Sequence, residues 1–208
     1  MTSRRAASFT AASKSRVSTP LILASASPRR LALLDQVGIK PARVVPADID
    51  ESVRPNELPR PHALRIATEK ANAVRARLKN EQAVVLAADT VVALGRRILP
   101  KAEDDATVTK CLALLSGRRH TVITAIALID AHGKLRTRTI ETKVAFRRLE
   151  AEEIAAYAKN GEGHGKAGGY AIQGHAAIFV RFISGSYTNV VGLPLTETFQ
   201  LLRSCDAA

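Results

Sequence analysis

Short apolar runs alternate with amphipathic stretches along this chain. Leu21–Ala24 is an apolar run of strand length, and after it the apolar residues recur at helical spacing until Gly38. Ser27 suits the N-cap of that helix and Pro28 its first position, while Gly38 suits its end. The pattern therefore predicts a strand, a tight loop and a helix.

The same alternation continues to the C-terminus. Residues 83–88 are the most apolar run, which predicts a central strand covered on both faces and ending at Asp89. Residues 91–99 predict a hairpin turned at Gly95. Further strands are predicted over 40–46, 121–129, 139–146, 176–183 and 187–191, and further helices over 62–79, 104–115, 151–159 and 194–202. This order indicates a mixed α/β fold with a curved central sheet and flanking helices.

The first residues differ in composition from the rest. Residues 1–19 are rich in Ser, Ala and Arg and contain no acid, so we expect a disordered extension outside the fold. A transit peptide or an upstream start codon also fits this composition. A secretory signal does not fit, because the segment has no apolar central stretch. Residues 20–204 are expected to form a single domain, and their apolar runs fall short of the ~20 residues of a membrane span.

Composition narrows the class of protein without fixing its partner. Hydrophobic residues make up 46% and charged residues 24% of the chain, as in a globular protein with an aliphatic core. The net charge of +12 attracts polyanions of any kind. Aromatic residues, which would stack on single-stranded nucleic acid, are only 4%. Cys111 and Cys205 are expected to be unpaired thiols in a reducing compartment, which indicates the cytoplasm.

The junction between the first strand and helix is a candidate anion site. Ser25, Arg29 and Arg30 stand beside a predicted helix N-terminus, where backbone N–H groups and guanidinium groups bind phosphate. The alternative is a capped helix with two solvated arginines.

Two acidic positions could support catalysis. Asp89 and Thr90 follow the most apolar strand, where a carboxylate could orient water, accept a proton or hold a metal. The loop with Asp48, Asp50 and Glu51 offers the oxygen ligands that Mg²⁺ prefers. The alternatives are a turn-forming aspartate and a solvated loop.

A glycine-rich segment runs from Lys166 to Gly174. Its glycines allow the backbone to approach a ligand, Lys166 supplies charge, and Gln173 could bond both edges of a base. The alternative is a flexible loop before a strand. Within that strand Gln173 would be a buried amide in need of partners.

Together these segments resemble the Maf family of nucleotide pyrophosphatases, in family order from Leu21 to Leu202. The matching segments are Leu23-Ala24-Ser25-x-Ser27-Pro28-Arg29-Arg30, Asp50-Glu51, Glu69-Lys70-Ala71, Ala88-Asp89-Thr90, Lys101, Leu115-Ser116-Gly117-x-x-His120, Lys166-Ala167-Gly168-x-Tyr170-x-Ile172-Gln173-Gly174 and Gly185-Ser186-Tyr187-x-x-Val190-Val191-Gly192-Leu193-Pro194. The resemblance implies an inosine-triphosphatase-like fold of the Maf/Ham1 type, with two lobes around a cleft, and a homodimer. It also implies hydrolysis of a nucleoside triphosphate by water attack on the α-phosphorus, assisted by Mg²⁺ or Mn²⁺.

The resemblance also implies residue roles. Asp89 matches the proton acceptor, and Glu51 lies with Asp89 at the metal. Arg29, Thr90 and Gln173 match positions tied to base preference, and the segment around Gln173 is similar to the branch acting on dTTP and UTP. The implied substrate-binding residues are Ser25, Arg29, Arg30, Lys70, Thr90, Lys101, Lys166 and Gln173.

The chain departs from the family pattern at two positions. Ala102 follows Lys101 where relatives often have proline, and Gly165 precedes Lys166 where they often have an acid, so we expect a looser loop.

A catalytically weak nucleotide-binding regulator of septum formation is the main alternative function. A nucleic-acid-binding protein is motivated only by charge. The expected partners are a nucleoside triphosphate and a second copy of the chain, with no specific nucleic acid and no membrane.

Overall fold

The computed structural model describes residues 19–79 and 81–205. The extension predicted over residues 1–19 lies outside the described residues except for Thr19, and the single domain over 20–204 stays a prediction. The strands are β1 (Leu21–Ala24), β2 (Arg43–Val44), β3 (Val84–Leu94), β4 (Arg97–Leu99), β5 (Lys101–Ala102), β6 (Arg119–Ile129), β7 (Leu135–Phe146), β8 (Lys166–Ala167) and β9 (Val180–Ser184). The helices are α1 (Pro28–Gln36), α2 (Pro59–Arg77), α3 (Asp105–Leu115), α4 (Ala151–Lys159), α5 (Tyr187–Val191) and α6 (Leu195–Arg203).

A mixed sheet organises the fold in the order β2-β1-β3-β6-β7-β9, with β4 paired to the outer half of β3. β1 is parallel to β2 and β3, whereas the pairings β3–β6, β6–β7 and β7–β9 are antiparallel. β5 and β8 form a separate two-stranded sheet. The predicted mixed α/β fold with flanking helices is confirmed.

The core is aliphatic, as its low aromatic content requires, and it has two parts. One apolar cluster packs α2 against β1, β3 and β6 through small side chains such as Ala67, Ala71 and Val85. The other cluster, around Leu34, Leu86 and the remaining helices, covers the opposite side chains of the same strands. Because side chains alternate across a strand, both faces of β3 are buried, as its unbroken apolar run predicted.

β3 is longer than predicted, and its pairing leaves an opening. The strand continues through Asp89 to Leu94, so the expected end at Asp89 is wrong. β6 pairs with it from Val85 to Ala93, which holds the strand straight past the aspartate. On its other edge β1 pairs with residues 84–87 and β4 with residues 92–94. Among the described strands, residues 88–91 therefore have a neighbour on the β6 side only.

Several predicted elements differ from the structure. The helix expected from residue 62 begins at Pro59, since proline is tolerated in a first helical turn. The strand expected over 40–46 is reduced to β2. Residues 175–179 form a 3₁₀ helix ahead of β9. The strand predicted over 187–191 is the helix α5, because the Ser186 hydroxyl accepts the backbone N–H of Asn189 and so caps a helical turn.

A buried aromatic group ties β6 and β7 to the glycine-rich segment. His120 is 2% exposed, lies edge-on to the rings of Phe146 and Tyr170, and has Nε2 2.8 Å from the Tyr170 hydroxyl oxygen. Burial lowers the pKa of His120 from 6.5 to about 4. This packing gives His120 a structural role in the core.

We therefore expect His120 to make stability depend on pH. Between pH 6.5 and 4 the unfolded chain binds a proton at this histidine and the folded chain does not, so acidification favours unfolding. At pH 4 this proton binding should lower the free energy of unfolding by about 3 kcal/mol relative to pH 7. Urea unfolding of wild type and His120→Gln at pH 7 and pH 4.5 measures it, with His132→Gln, in an exposed turn, as the control. Equal acid sensitivity of wild type and His120→Gln would contradict this assignment.

Candidate active site

The opening beside β3 leads into a cleft of about 620 Å³. One wall is the segment from Ala24 to Arg30, where β1 ends and α1 begins, and the floor includes Asp89 and Thr90. The small β5–β8 sheet contributes Lys101 and residues 165–167. The cleft forms here because none of the strands in residues 19–79 and 81–205 covers residues 88–91 on this edge.

Arg30 is the buried cation of the cleft wall. Its Nε donates to the Gly192 carbonyl at 2.9 Å, Nη1 to the Ser25 hydroxyl at 3.2 Å and Nη2 to the Thr90 hydroxyl at 3.3 Å. Burial lowers the pKa of Arg30, and the negative charges of Asp89 and Glu51 oppose that shift. The guanidinium is held by neutral acceptors, so its positive charge remains available to an anion.

Hydrogen-bonded hydroxyl groups hold Thr90, one of the acceptors of Arg30, in place. The hydroxyl oxygens of Thr90 and Thr124 are 2.9 Å apart, and Thr124 donates to the Asn189 carbonyl at 2.9 Å. Gly192 ends α5 with φ +132°, a conformation that favours glycine and turns the chain toward Arg30. The segment 185–194 thus contributes to the site through its backbone, a role that no side-chain pattern revealed.

Lys70 joins the two carboxylates that were predicted to serve catalysis. It projects from the middle of α2, is 8% exposed, and donates to Asp89 Oδ1 at 2.8 Å. Its Nζ also lies 2.9 Å from Glu51 Oε1. Asp89 is 7% exposed, whereas the Glu51 side chain is half exposed. Three distant segments thus bring a base candidate, a second acid and a cation together.

The remaining predicted cations lie around the same cleft. Burial lowers the pKa of Arg29 to about 10, with Arg30 as the next cause. Burial, and after it the charge of Arg29, also lowers the pKa of Lys166, whose Nζ donates to the His164 carbonyl at 2.8 Å. Lys101 is exposed, with Glu103 3.7 Å from its Nζ. The grouping of these cations around one cleft indicates a site that receives negative charge.

Gln173 and the acidic loop are placed differently from the rest. Gln173 is exposed in a turn and does not line the cleft, so the buried strand amide expected there is wrong. Asp50 accepts from the backbone N–H and hydroxyl of Ser52, which stabilise its own loop. Asp48 lines the cleft edge. Glu51 is therefore the member of this loop that meets the catalytic candidates.

One cleft residue escaped the sequence analysis. His62 is 4% exposed, lines the cleft, and has Nδ1 2.8 Å from Glu57 Oε2. Arg65 binds the same carboxylate at 2.6 Å, and these contacts hold the pKa of Glu57 well below its usual range. The spacing of His62 and Lys70 places both on one face of α2, but a lone histidine gave no signal of its own.

The carboxylates fit a divalent cation held together with a substrate. Within residues 19–79 and 81–205 no group of three or more His, Cys, Asp or Glu side chains could hold a metal alone. Mg²⁺ commonly uses one or two carboxylates, several waters and the phosphates of a bound nucleotide. Asp89 and Glu51 are such a pair, so the site suits a shared metal and not a protein cage.

Departures at Ala102 and Gly165 are accommodated without a break in the structure. Ala102 pairs with Lys166 across the small sheet, and Gly165 donates its N–H to the Ala102 carbonyl at 2.7 Å. Gly165 has φ +66°, which favours glycine at this turn. The loop expected to be loose is therefore hydrogen-bonded on both sides of Lys166.

Fold and cleft together define an α/β protein with a cationic, carboxylate-floored pocket for an anion. The chain matches the family described as Maf-like protein over residues 20–205. It is 61% identical to the dTTP/UTP pyrophosphatase of Paramagnetospirillum magneticum over 88% of this chain and 95% of that protein. It is 58% identical to the dTTP/UTP pyrophosphatase of Novosphingobium aromaticivorans over 88% and 90%. This protein belongs to the Maf family.

Among solved structures, a HAM1 protein from Coxiella burnetii is similar at a TM-score of 0.49 and 17% identity, over 89% of this chain and 99% of that one. None of the helices in the part of the chain that the structure describes is long and apolar enough to cross a membrane.

Proposed function

We propose that this protein is a nucleoside triphosphate pyrophosphatase that hydrolyses dTTP and UTP to the monophosphate and pyrophosphate. The observation that carries the proposal is the buried Asp89 carboxylate at the floor of a cleft walled by Arg29 and Arg30. The family membership and the names of the relatives support the same reaction and the same substrates. They also favour an enzyme over a catalytically weak regulator.

Substrate binding follows from the charge of the cleft. A triphosphate carries several negative charges, which Arg29, Arg30, Lys101 and Lys166 would offset. The N-terminus of α1 adds backbone N–H groups, with Ser25 at the end of β1. Arg30 is already fixed by its three acceptors, so its guanidinium needs little reorganisation when phosphate binds.

Catalysis would begin with a water molecule placed between Asp89 and the α-phosphorus. Asp89 accepts the proton of that water as its oxygen attacks, and pyrophosphate leaves toward Lys101 and Lys166. Asp89 and Glu51 would hold Mg²⁺ or Mn²⁺, which supplies charge neutralisation on the phosphates. Neither role needs a covalent intermediate, in keeping with a site that has no nucleophilic serine or cysteine paired with a base among the described residues.

Base preference is the finer part of the proposal. Thr90 and Arg29 line the cleft and could meet the base directly, whereas Gln173 would have to reach it from the exposed turn. The amide of Gln173 suits the O4 and N3–H edge of uracil or thymine. We further propose that the protein acts in the cytoplasm and forms a homodimer.

Pyrophosphate release from purified protein tests this function. With Mg²⁺ or Mn²⁺ we expect dTTP and UTP to be hydrolysed at least tenfold faster than dATP, dGTP or CTP, and Gln173→Ala to reduce this preference. The same assay with EDTA measures the metal requirement. Nucleotide binding without turnover of any member of the panel would favour the regulator instead.

A further inference from the structure

The ammonium group of Lys70 occupies the space between the two carboxylates that would hold a metal. Its Nζ is 2.8 Å from Asp89 Oδ1 and 2.9 Å from Glu51 Oε1, so one cation already pairs with both candidate ligands. Arg30, buried in the adjacent wall, is also influenced by the charges of Asp89 and Glu51. Around the two candidate metal ligands, the positive charges of Lys70 and Arg30 therefore match the negative charges of Asp89 and Glu51.

A divalent cation alone would disturb this balance. It would have to displace Lys70 from both carboxylates or share them with it, and in either case two buried cations would remain beside it. The position of Lys70 on α2 limits its movement out of the cleft, because the side chain is 8% exposed and its neighbours one turn away, Ile66 and Val74, are buried. Free metal is therefore disfavoured by charge and by space.

A triphosphate changes the charges of the cleft. Its oxygens give the ammonium group new acceptors, so Lys70 can turn from the carboxylates to the substrate without losing its hydrogen bonds. The same oxygens complete the coordination of a metal that keeps only one or two protein carboxylates. Substrate and metal thus favour each other at this site.

We propose that Lys70 is the counter-ion of Asp89 and Glu51 whenever no nucleotide is bound, and that it thereby keeps free divalent metal out and makes metal binding depend on nucleotide. This inference rests on the proposed function for the identity of the nucleotide. Its central claim concerns metal binding to the nucleotide-free protein, which can be measured without turnover. Lys70 first blocks metal binding at Asp89 and Glu51, and after nucleotide binding it donates to the phosphate oxygens.

Mn²⁺ binding without nucleotide tests the proposal, with the electron paramagnetic resonance signal of free Mn²⁺ as the readout. Lys70→Met leaves two carboxylates without their cation and should bind Mn²⁺ at least tenfold more tightly than wild type. Lys70→Arg keeps the charge and should stay weak, as should the matched control Lys110→Met on the exposed face of α3. Asp89→Asn in the Lys70→Met background should remove the gain.

A second measurement on wild type covers the case in which Lys70→Met does not fold, which circular dichroism would reveal. A non-hydrolysable α,β-imido analogue of dUTP should raise Mn²⁺ affinity at least tenfold above that of the protein alone and of the analogue alone. Equal Mn²⁺ affinity of folded Lys70→Met and wild type, or Mn²⁺ binding by wild type that the analogue does not change, would overturn the proposal. Failure of the proposed function would appear separately, as absence of turnover in the nucleotide panel.

Discussion

Asp89→Asn should lower kcat by about 10²–10⁴-fold while the protein stays folded and binds nucleotide. Asparagine has the same shape, and its carbonyl oxygen can still accept the 2.8 Å hydrogen bond from Lys70. It cannot take a proton from water, and it is a weaker metal ligand than a carboxylate, so kcat is compared at saturating metal. Steady-state pyrophosphate release with dTTP measures kcat, and fluorescence titration with a dUTP analogue measures binding.

Asp35→Asn is the matched control for this change, because Asp35 is exposed on α1 away from the cleft. Its activity should equal that of wild type. An Asp89→Asn protein that keeps more than a tenth of wild-type kcat would remove Asp89 from the role of proton acceptor.

Arg30→Lys should reduce both substrate affinity and stability. Lysine keeps the charge but cannot reach Ser25, Thr90 and the Gly192 carbonyl together, since it lacks the planar fork of arginine. We expect KM for dTTP to rise roughly tenfold or more and the free energy of unfolding to fall by about 1–3 kcal/mol. Steady-state kinetics and urea unfolding measure the two effects.

Arg60→Lys controls for the loss of a guanidinium in general. Arg60 is exposed on α2 and pairs with Glu141 at 3.1 Å, a surface contact of small energetic value. If Arg30→Lys has the same KM and stability as Arg60→Lys, the buried hydrogen bonds of Arg30 do not position its charge for phosphate binding.

Local sequence patterns predicted the elements whose cause is local. β1 followed from one apolar run, and α1 followed from Ser27, Pro28 and a helical stripe. The helix α3, predicted over 104–115, begins after Asp104, whose carboxylate accepts the Thr107 N–H at 2.7 Å. In α3 propensity, capping and packing favour the same structure, whereas the Ser27 side chain makes no capping hydrogen bond in α1.

Elements set by distant partners were predicted less well. Asp89 reads as the end of an apolar run, yet β6 pairs along the whole of β3 and carries the strand past it. Val190 and Val191 favour a strand by propensity, but the Ser186 cap and Gly192 make their segment a helix. The first outcome depends on a distant strand, whereas the second depends on a local cap that outweighs the strand propensity of two valines.

The candidate site shows the same division. The cleft collects Ser25, Arg30 and Asp89, as the motifs and the family resemblance suggested. The contact of Lys70 with both carboxylates, and the support of Arg30 by Thr124 and the Gly192 carbonyl, required coordinates. A residue such as Thr124 acts through one hydroxyl inside a strand, so its sequence environment is that of any sheet threonine.

The site of water attack tests the central claim most directly. Hydrolysis of dTTP in ¹⁸O-labelled water, followed by mass spectrometry of both products, reports which phosphorus is attacked. Attack on the α-phosphorus beside Asp89 predicts one ¹⁸O atom in dTMP and unlabelled pyrophosphate. Label in pyrophosphate, or release of orthophosphate and dTDP, would contradict a pyrophosphatase that places water between Asp89 and the α-phosphate.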